Sequence, residues 1–220
     1  MIKLSERLKA IAEMVPESIT ADIGSDHGKL MIYLFETGKI SYGYAVENKR
    51  GPYNNLVKNL KENKLIDYII PLYSDGLDDL PDCVKTIVIA GMGGENIIAI
   101  LKKHPEKVKH IETIIIDAHS LVPEVREEIS KMGFVIADEK IIKEANIFYE
   151  IIKFIRAEIA TYGENDLQYG PILRKEKGVL FIEKYQKRIK VIERLMKKDI
   201  PSVQIEKLRK EKEGIENILR

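Results

Sequence analysis

The chain has no tryptophan and only one cysteine in 220 residues. A single thiol cannot form an internal disulfide or a thiolate-clustered metal centre, so the fold must be held by packing alone. Cys83 lies beside an apolar run with no activating partner in sequence and reads as a structural residue. Long hydrophobic runs are also missing. None approaches the roughly 20 apolar residues that cross a bilayer, and the segment Met1-Ile2-Lys3-Leu4-Ser5-Glu6-Arg7 has no apolar stretch behind its charges. A cytoplasmic protein is expected. The four histidines, His27, His104, His110 and His119, stand at no ligand spacing, so no metal is expected, and those at 104 and 110 read as solvated. Charge of one sign is not in excess either, at 36 Lys and Arg against 35 Asp and Glu. That balance hides an asymmetry: residues 171–220 carry 15 basic and 8 acidic side chains, the remainder 21 and 27. A basic tail on an acidic body points to a polyanionic partner or to a solvated, lysine-rich helical hairpin.

What the chain does have is a hydrophobic fraction of 45%, enough for a packed core and too high for disorder. Leu4, Leu8, Ile11 and Ala12 recur at helical spacing, and Pro16 stops that helix. Apolar runs at 19–23, 42–47, 69–73, 86–90 and 111–117 then alternate with helical patterns at 30–36, 53–63, around 97–102 and at 122–132. This βαβ rhythm predicts an α/β fold, a doubly wound and mostly parallel sheet covered on both faces. The runs 134–142 and 148–156 have no helix between them and must form an antiparallel edge. From 161 to 171 the sequence turns polar and marks a boundary, giving domains at 1–160 and 161–220. Two charged helical patterns broken at Pro201 follow, with Ile189, Ile192 and Met196 facing Ile205, Leu208, Ile215 and Leu219 as an antiparallel pair.

The chemistry is concentrated where strands end. Asp22-Ile23-Gly24-Ser25-Asp26-His27-Gly28 is a glycine-containing turn between the first strand and a helix, the place where doubly wound folds bind nucleotides. The dinucleotide pattern G-x-G-x-x-G is absent, and Asp22 suits a ligand bearing an ammonium group better than a pyrophosphate. Glu47 ends the second strand about 20 residues on, positioned to accept from ribose hydroxyls. Asp75-Gly76 follows the third strand and offers a carboxylate to an adenine amino group. After the fourth strand comes Ala90-Gly91-Met92-Gly93-Gly94, whose backbone passes close to a cofactor or an incoming base or else makes a plain tight strand-to-helix turn; Met92 either lines the pocket or packs. Each acid alone is an ordinary turn residue, whereas three at the carboxyl rim of consecutive parallel strands read as a ligand site.

Taken in order, Arg7-Leu8, Asp22-Ile23-Gly24-Ser25-Asp26-His27, Gly51-Pro52-Tyr53, Asp75-Gly76, Ile89-Ala90-Gly91-Met92-Gly93-Gly94, Tyr149-Glu150 and Tyr169-Gly170-Pro171 resemble the bacterial tRNA (adenine-N1)-methyltransferases of the TrmK type. The resemblance runs over most of the chain. It implies a class I methyltransferase domain with a Rossmann-like sheet, a C-terminal coiled-coil-like helical domain, S-adenosyl-L-methionine as cofactor, and methylation of N1 of the adenosine at tRNA position 22. Arg7, Asp22, Gly24, Ser25, Gly28, Glu47, Asp75, Gly76, Ala90, Gly91, Met92 and Gly93 are the expected cofactor residues, with Arg7 facing either the cofactor carboxylate or an RNA phosphate. Asp26 is the expected carboxylate near the adenine amino group, or else a helix cap. His27 stacks on the base or caps a turn, and Tyr149 flanks the unpaired base or belongs to the core. Lys187, Arg188, Arg194 and Lys197 are expected to meet tRNA phosphates.

Two departures from the family pattern stand out. Gly28-Lys29-Leu30-Met31 replaces a small and an aromatic residue followed by Leu-Pro, and Asp117-Ala118-His119-Ser120 replaces a tip beginning Gln-Pro-Asn. The second departure keeps other readings open: a methyltransferase of the same fold acting on another RNA or a small molecule, or a catalytically silent RNA-binding protein. A dehydrogenase is disfavoured by the missing dinucleotide glycines.

Overall fold

The computed structural model describes residues 2–157, 160–199 and 201–220. Residues 158 and 159, just ahead of the boundary expected after residue 160, lie outside the described residues. The order of elements is α1 (Glu6–Met14), β1 (Thr20–Ile23), α2 (Lys29–Glu36), β2 (Gly43–Glu47), α3 (Arg50–Glu62), β3 (Ile69–Tyr73), β4 (Thr86–Met92), α4 (Gly94–Lys103), α5 (Pro105–Val108), β5 (Thr113–Ala118) and α6 (Val122–Lys131). The antiparallel strands β6 (Phe134–Glu144) and β7 (Ile147–Arg156) follow, then α7 (Glu164–Tyr169), α8 (Leu173–Glu176), α9 (Val179–Met196) and α10 (Ser202–Leu219).

The strands form one sheet in the order β3-β2-β1-β4-β5-β7-β6. Neighbours among the first five pair in parallel, and β7 pairs antiparallel with both β5 and β6. From β1 the chain winds outward through β2 and β3, whereas β4 starts again on the other side. Adjacent carboxyl ends therefore diverge at the β1/β4 junction, where such sheets open a crevice. Pro71 sits within β3, tolerated because β3 is an edge strand.

Strand side chains alternate between two apolar layers. Ile87, Ile89, Ile114 and Ile116 pack with Ile97, Leu101, Val125 and Ile129 of α4 and α6. Val88 and Ile115 point the other way and meet Ile11, Leu30, Leu34, Leu56 and Leu60 of α1, α2 and α3. Both faces are thus covered, which is why these strands read as unbroken apolar runs. A third cluster, containing Ile141, Tyr169, Phe181, Tyr185, Ile192, Leu208 and Ile215, joins the tail helices to β6. Arg188 spans from α9 to Glu211 of α10 with two hydrogen bonds of 2.6 and 2.8 Å.

The tail is also attached through charge. Arg126 of α6 is fully buried, with its guanidinium between Glu139 Oε1 at 2.8 Å and Glu150 Oε2 at 2.5 Å. It donates further to Leu167 O at 2.9 Å, while Glu139 Oε2 accepts from the Ile172 amide at the same distance and Lys184 of α9 closes on Glu150. Burial works to raise the pKa of Glu150, but Arg126 and Lys184 together hold it below the usual carboxylate value. For Glu139, which shares one cation, burial wins and the pKa rises. Gly170 closes over this cluster at φ +82°, where a Cβ would lie 2.6 Å from both Glu139 oxygens. No side chain fits there.

Several expectations are revised. β4 continues to Met92 past the expected end at Ala90, with its register against β5 slipping between those residues, so the glycine segment is part strand and part helix start. The polar stretch after 161 contains the short helices α7 and α8, where apolar contacts to the tail core override weak local signals. Cys83 is exposed, with Tyr44 Oη 3.7 Å from its sulfur, because Val84 rather than Cys83 turns inward. His104 is not solvated as expected: its Nε2 lies 2.6 Å from Asp78 and its Nδ1 3.0 Å from Glu106. Among the described residues no helix is long and apolar enough to cross a membrane.

Removing one partner of a buried ion cluster leaves the others uncompensated. Arg126→Ala is expected to destabilise the chain by about 3–5 kcal/mol, measured by urea unfolding; a loss below about 1 kcal/mol would contradict this account of how the tail is attached.

Candidate active site

At the exit of β1, Asp22 is 8% exposed and its Oδ2 accepts from Ser25 Oγ at 2.6 Å. The amides of Gly24 and Ser25 both donate to Val46 O at 2.9 Å, which locks this turn onto β2. Gly24 adopts φ +82°, and a Cβ there would collide with Met92 Cε, so the exits of β1 and β4 touch through a position that only glycine fills. The turn closes with Gly28 N donating to Ser25 O at 2.5 Å. Gly28 is the N-cap of α2, so Asp26 does not cap that helix. Asp26 instead holds a left-handed φ of 25° with its side chain exposed, 3.4 Å from Nε2 of the half-buried His27. A non-glycine residue in that region persists only where its surroundings over-determine it.

Along the same rim, Glu47 ends β2 nearly buried, its Oε1 accepting from the Lys49 amide at 2.9 Å. Asp75 follows β3, its Oδ1 accepting from Asn48 Nδ2 at 2.8 Å and its Oδ2 lying 3.8 Å from Lys103 Nζ. A cleft of about 460 Å³ opens here, lined among others by Gly24, Asn48, Asp75, Gly76, Met92 and Asn96. Met92 therefore takes the pocket-lining role, packing against the β1 turn at the same time. Glu47 and Asp22 flank residues that line the cleft, at Val46, Asn48, Ile23 and Gly24. Ala90 is half-buried against the α1–α3 layer, Gly91 faces Arg7, and Gly93 caps α4.

Burial raises the Asp22 pKa from 3.8 to about 6, against the hydrogen bond from Ser25, and the nearby Glu47 adds to the rise. The rim thus gathers acidic acceptors around an apolar floor, an acceptor set that fits a ligand with a cationic amino group, a ribose diol and an aromatic amine.

Arg7 and Tyr149 are not among the residues lining this cleft. The Arg7 Nη1 donates to Asp117 Oδ2 at 2.6 Å, and its guanidinium lies 4.9 Å from the Tyr149 ring centre. Asp117 is completely buried at the end of β5; burial raises its pKa, opposed chiefly by Arg7. Asp26 and His27 also stand outside the cleft lining, on the outer side of the β1 turn. Sequence reasoning passed over Asn48, Asn96 and Lys103. Asn48 follows Glu47 directly and Asn96 falls in the first turn after the glycines, so position relative to the motifs was the available signal; Lys103 had none.

The family model described as tRNA (adenine(22)-N(1))-methyltransferase matches residues 20–219. The tRNA (adenine(22)-N(1))-methyltransferase of Bacillus subtilis (strain 168) is 31% identical over 201 residues, spanning 86% of this chain and 82% of that one. The chain belongs to this family. Among solved structures, Streptococcus pneumoniae Sp1610 in complex with S-adenosyl-L-methionine superposes with a TM-score of 0.92 at 31% identity, covering 99% of this chain and all of that one. The B. subtilis m1A22 tRNA methyltransferase TrmK gives 0.87 at 26% identity over the full length of both. In this member of the tRNA (adenine(22)-N(1))-methyltransferase family, the departure at Lys29-Leu30-Met31 is a packing change, since Leu30 and Met31 are buried in the α1–α3 layer and Lys29 is exposed. The departure at Asp117 is different, because it creates a buried ion pair with Arg7.

The raised Asp22 pKa has a pH signature. Between 3.8 and about 6 the folded chain holds a proton that the unfolded chain has lost, so this group's contribution to stability falls as pH rises through that window. Asp22→Asn is expected to remove that part of the decline, seen by comparing urea midpoints of the two proteins across it; parallel curves would show that Asp22 titrates normally.

Proposed function

We propose that this chain transfers a methyl group from S-adenosyl-L-methionine to N1 of adenosine 22 in tRNA, in the cytoplasm, with residues 1–160 as the cofactor-binding domain and 161–220 as a helical tRNA-binding appendage. The observation that carries this reading is the cleft at the β1/β4 crevice, bordered by Asp22, Glu47 and Asp75 at three successive strand ends. Asp22, ordered by Ser25, takes the amino group of the cofactor. Glu47 takes the ribose hydroxyls, and Asp75 beside Gly76 takes the adenine amine. Gly24, Gly28 and the Ala90 to Gly93 segment let the backbone close around the ligand, and Arg7 stands beside Gly91 of that segment. When bound, the cofactor supplies a methyl carbon on a sulfonium sulfur, open to in-line displacement.

The residues of this chain then have mainly to hold and orient. Adenine N1 carries a free lone pair, so no base is required before attack. The methylated ring is cationic and sheds a proton from its exocyclic amine, for which Asp26 is the carboxylate we assign. His27, 3.4 Å from it, orients that carboxylate or the base, and Tyr149 offers a flat surface to the unpaired base. On the tail, Lys187, Arg194 and Lys197 are exposed cations suited to phosphate. Arg188 is committed to Glu211, so we assign it to clasping the helices together.

Labelled methyl transfer to tRNA transcripts with and without adenosine at position 22 tests the reading. Product is expected only with that adenosine, and Asp26→Asn is expected to lower kcat by about 10²-fold or more while cofactor affinity stays within about twofold of the parent. Cofactor binding without methylation of any tRNA would retain the fold and remove the substrate. For the tail, joint replacement of Lys187, Arg194 and Lys197 by alanine should flatten the slope of log affinity against log salt by about two; an unchanged slope would place the RNA elsewhere.

A further inference from the structure

A second cleft, of about 420 Å³, lies between the end of β5, β7 and α9, lined by Ala118, His119, Val122, Phe148, Tyr149 and Lys184 among others. It shares a wall with the cofactor cleft. Met92 lines the first through its side chain, while its carbonyl accepts from the His119 amide at 2.8 Å. Gly91 of the same segment lies between Arg7 Nη1 and His119 Nε2, which would stand 3.6 and 4.0 Å from a Cβ placed there. The two clefts therefore adjoin at this segment.

The second cleft is built to receive a flat group. The rings of His119 and Tyr149 stand 5.8 Å apart at 60°, forming a corner, and Arg7 covers Tyr149. Tyr149 is thereby fixed from behind, whereas His119 is exposed. Behind this corner Asp117 is fully buried, held by Arg7 and by the Gly91 amide. Glu150 at the cleft's base is neutralised by Arg126 and Lys184, so no uncompensated negative charge there repels a nucleotide phosphate.

We infer that this second cleft seats the purine extruded from the RNA, and that His119 is a base-positioning residue whose ring stacks on that purine against Tyr149. The inference deepens the proposed tRNA methyltransferase activity and rests on it. Base stacking on an aromatic side chain is sequence-tolerant and strong enough to decide occupancy.

The test compares wild type, His119→Ala and His119→Phe in steady-state methylation of a tRNA transcript, with cofactor affinity and thermal midpoint measured alongside. His119→Ala is expected to lower kcat/KM for tRNA by about tenfold or more with cofactor affinity and midpoint unchanged, and His119→Phe, which keeps a flat ring, to recover most of the loss. A transcript carrying 2-aminopurine at position 22 adds a direct readout: its emission in the complex should be brighter with His119→Ala, because the extruded base has lost a stacking partner. Wild-type kcat/KM and emission in His119→Ala overturn the inference alone, as does a phenylalanine variant no better than alanine. A wild-type protein that methylates no tRNA overturns the activity itself.

Discussion

The reversal of strand order between β1 and β4 is the constraint on which the remaining structure depends. Parallel neighbours require crossovers, and right-handed crossovers send the chain to opposite faces as it winds to either side of the starting strand. Helices α2 and α3 therefore cover one face, α4 and α6 the other. No connection fills the junction, so the exits of β1 and β4 form the walls of a crevice, and the acids at the ends of β1, β2 and β3 are delivered to its rim. Gly24 and Met92 bring those walls into contact. The chemistry of the site is thus a by-product of topology, supplied with the right side chains at four turns.

A second constraint joins the body to its basic tail. Burying Arg126 with two carboxylates is weak evidence for stability, because desolvation offsets much of the attraction. Its contribution lies in geometry. Arg126 comes from α6, Glu139 and Glu150 from the antiparallel edge, Leu167 and Ile172 from the segment leading into the tail, and Lys184 from α9. One guanidinium thus specifies how three parts of the chain meet. Lys184 of α9 lines the second cleft, so RNA held on the tail as we propose would lie close to the aromatic corner at His119.

The polar surroundings of the two clefts differ in a way that matches their roles. The first presents carboxylates, one of them with its pKa raised by burial to about 6. The second presents rings, with its charges already paired. The small cationic cofactor and the uncharged purine face that we assign to them have opposite requirements, and the clefts adjoin at the Gly91-Met92 segment.

Much of this was legible in sequence for a local reason. Apolar runs of strand length, helical periodicity between them, and glycines and acids at run ends are short-range signals, and they sufficed for the parallel sheet, its antiparallel edge, the rim acids at 22, 47 and 75, and the helical tail. The resemblance carried by Asp22 to His27 and Ala90 to Gly94 added the family. Arg126 shows the limit: it falls on the buried face of a charged, amphipathic helix, beside Val125 and Ile129, and its partners are 13 and 24 residues away along the chain, so nothing local announces a buried cluster. Asp117 and Arg7 are 110 residues apart, and their pairing exists only because α1 folds back beside β5 and β7. Period and turn chemistry determined the elements, their faces and the acids at their ends. Only tertiary packing decided which distant charges share a dry environment, which histidine meets a tyrosine, and that a second cleft adjoins the first.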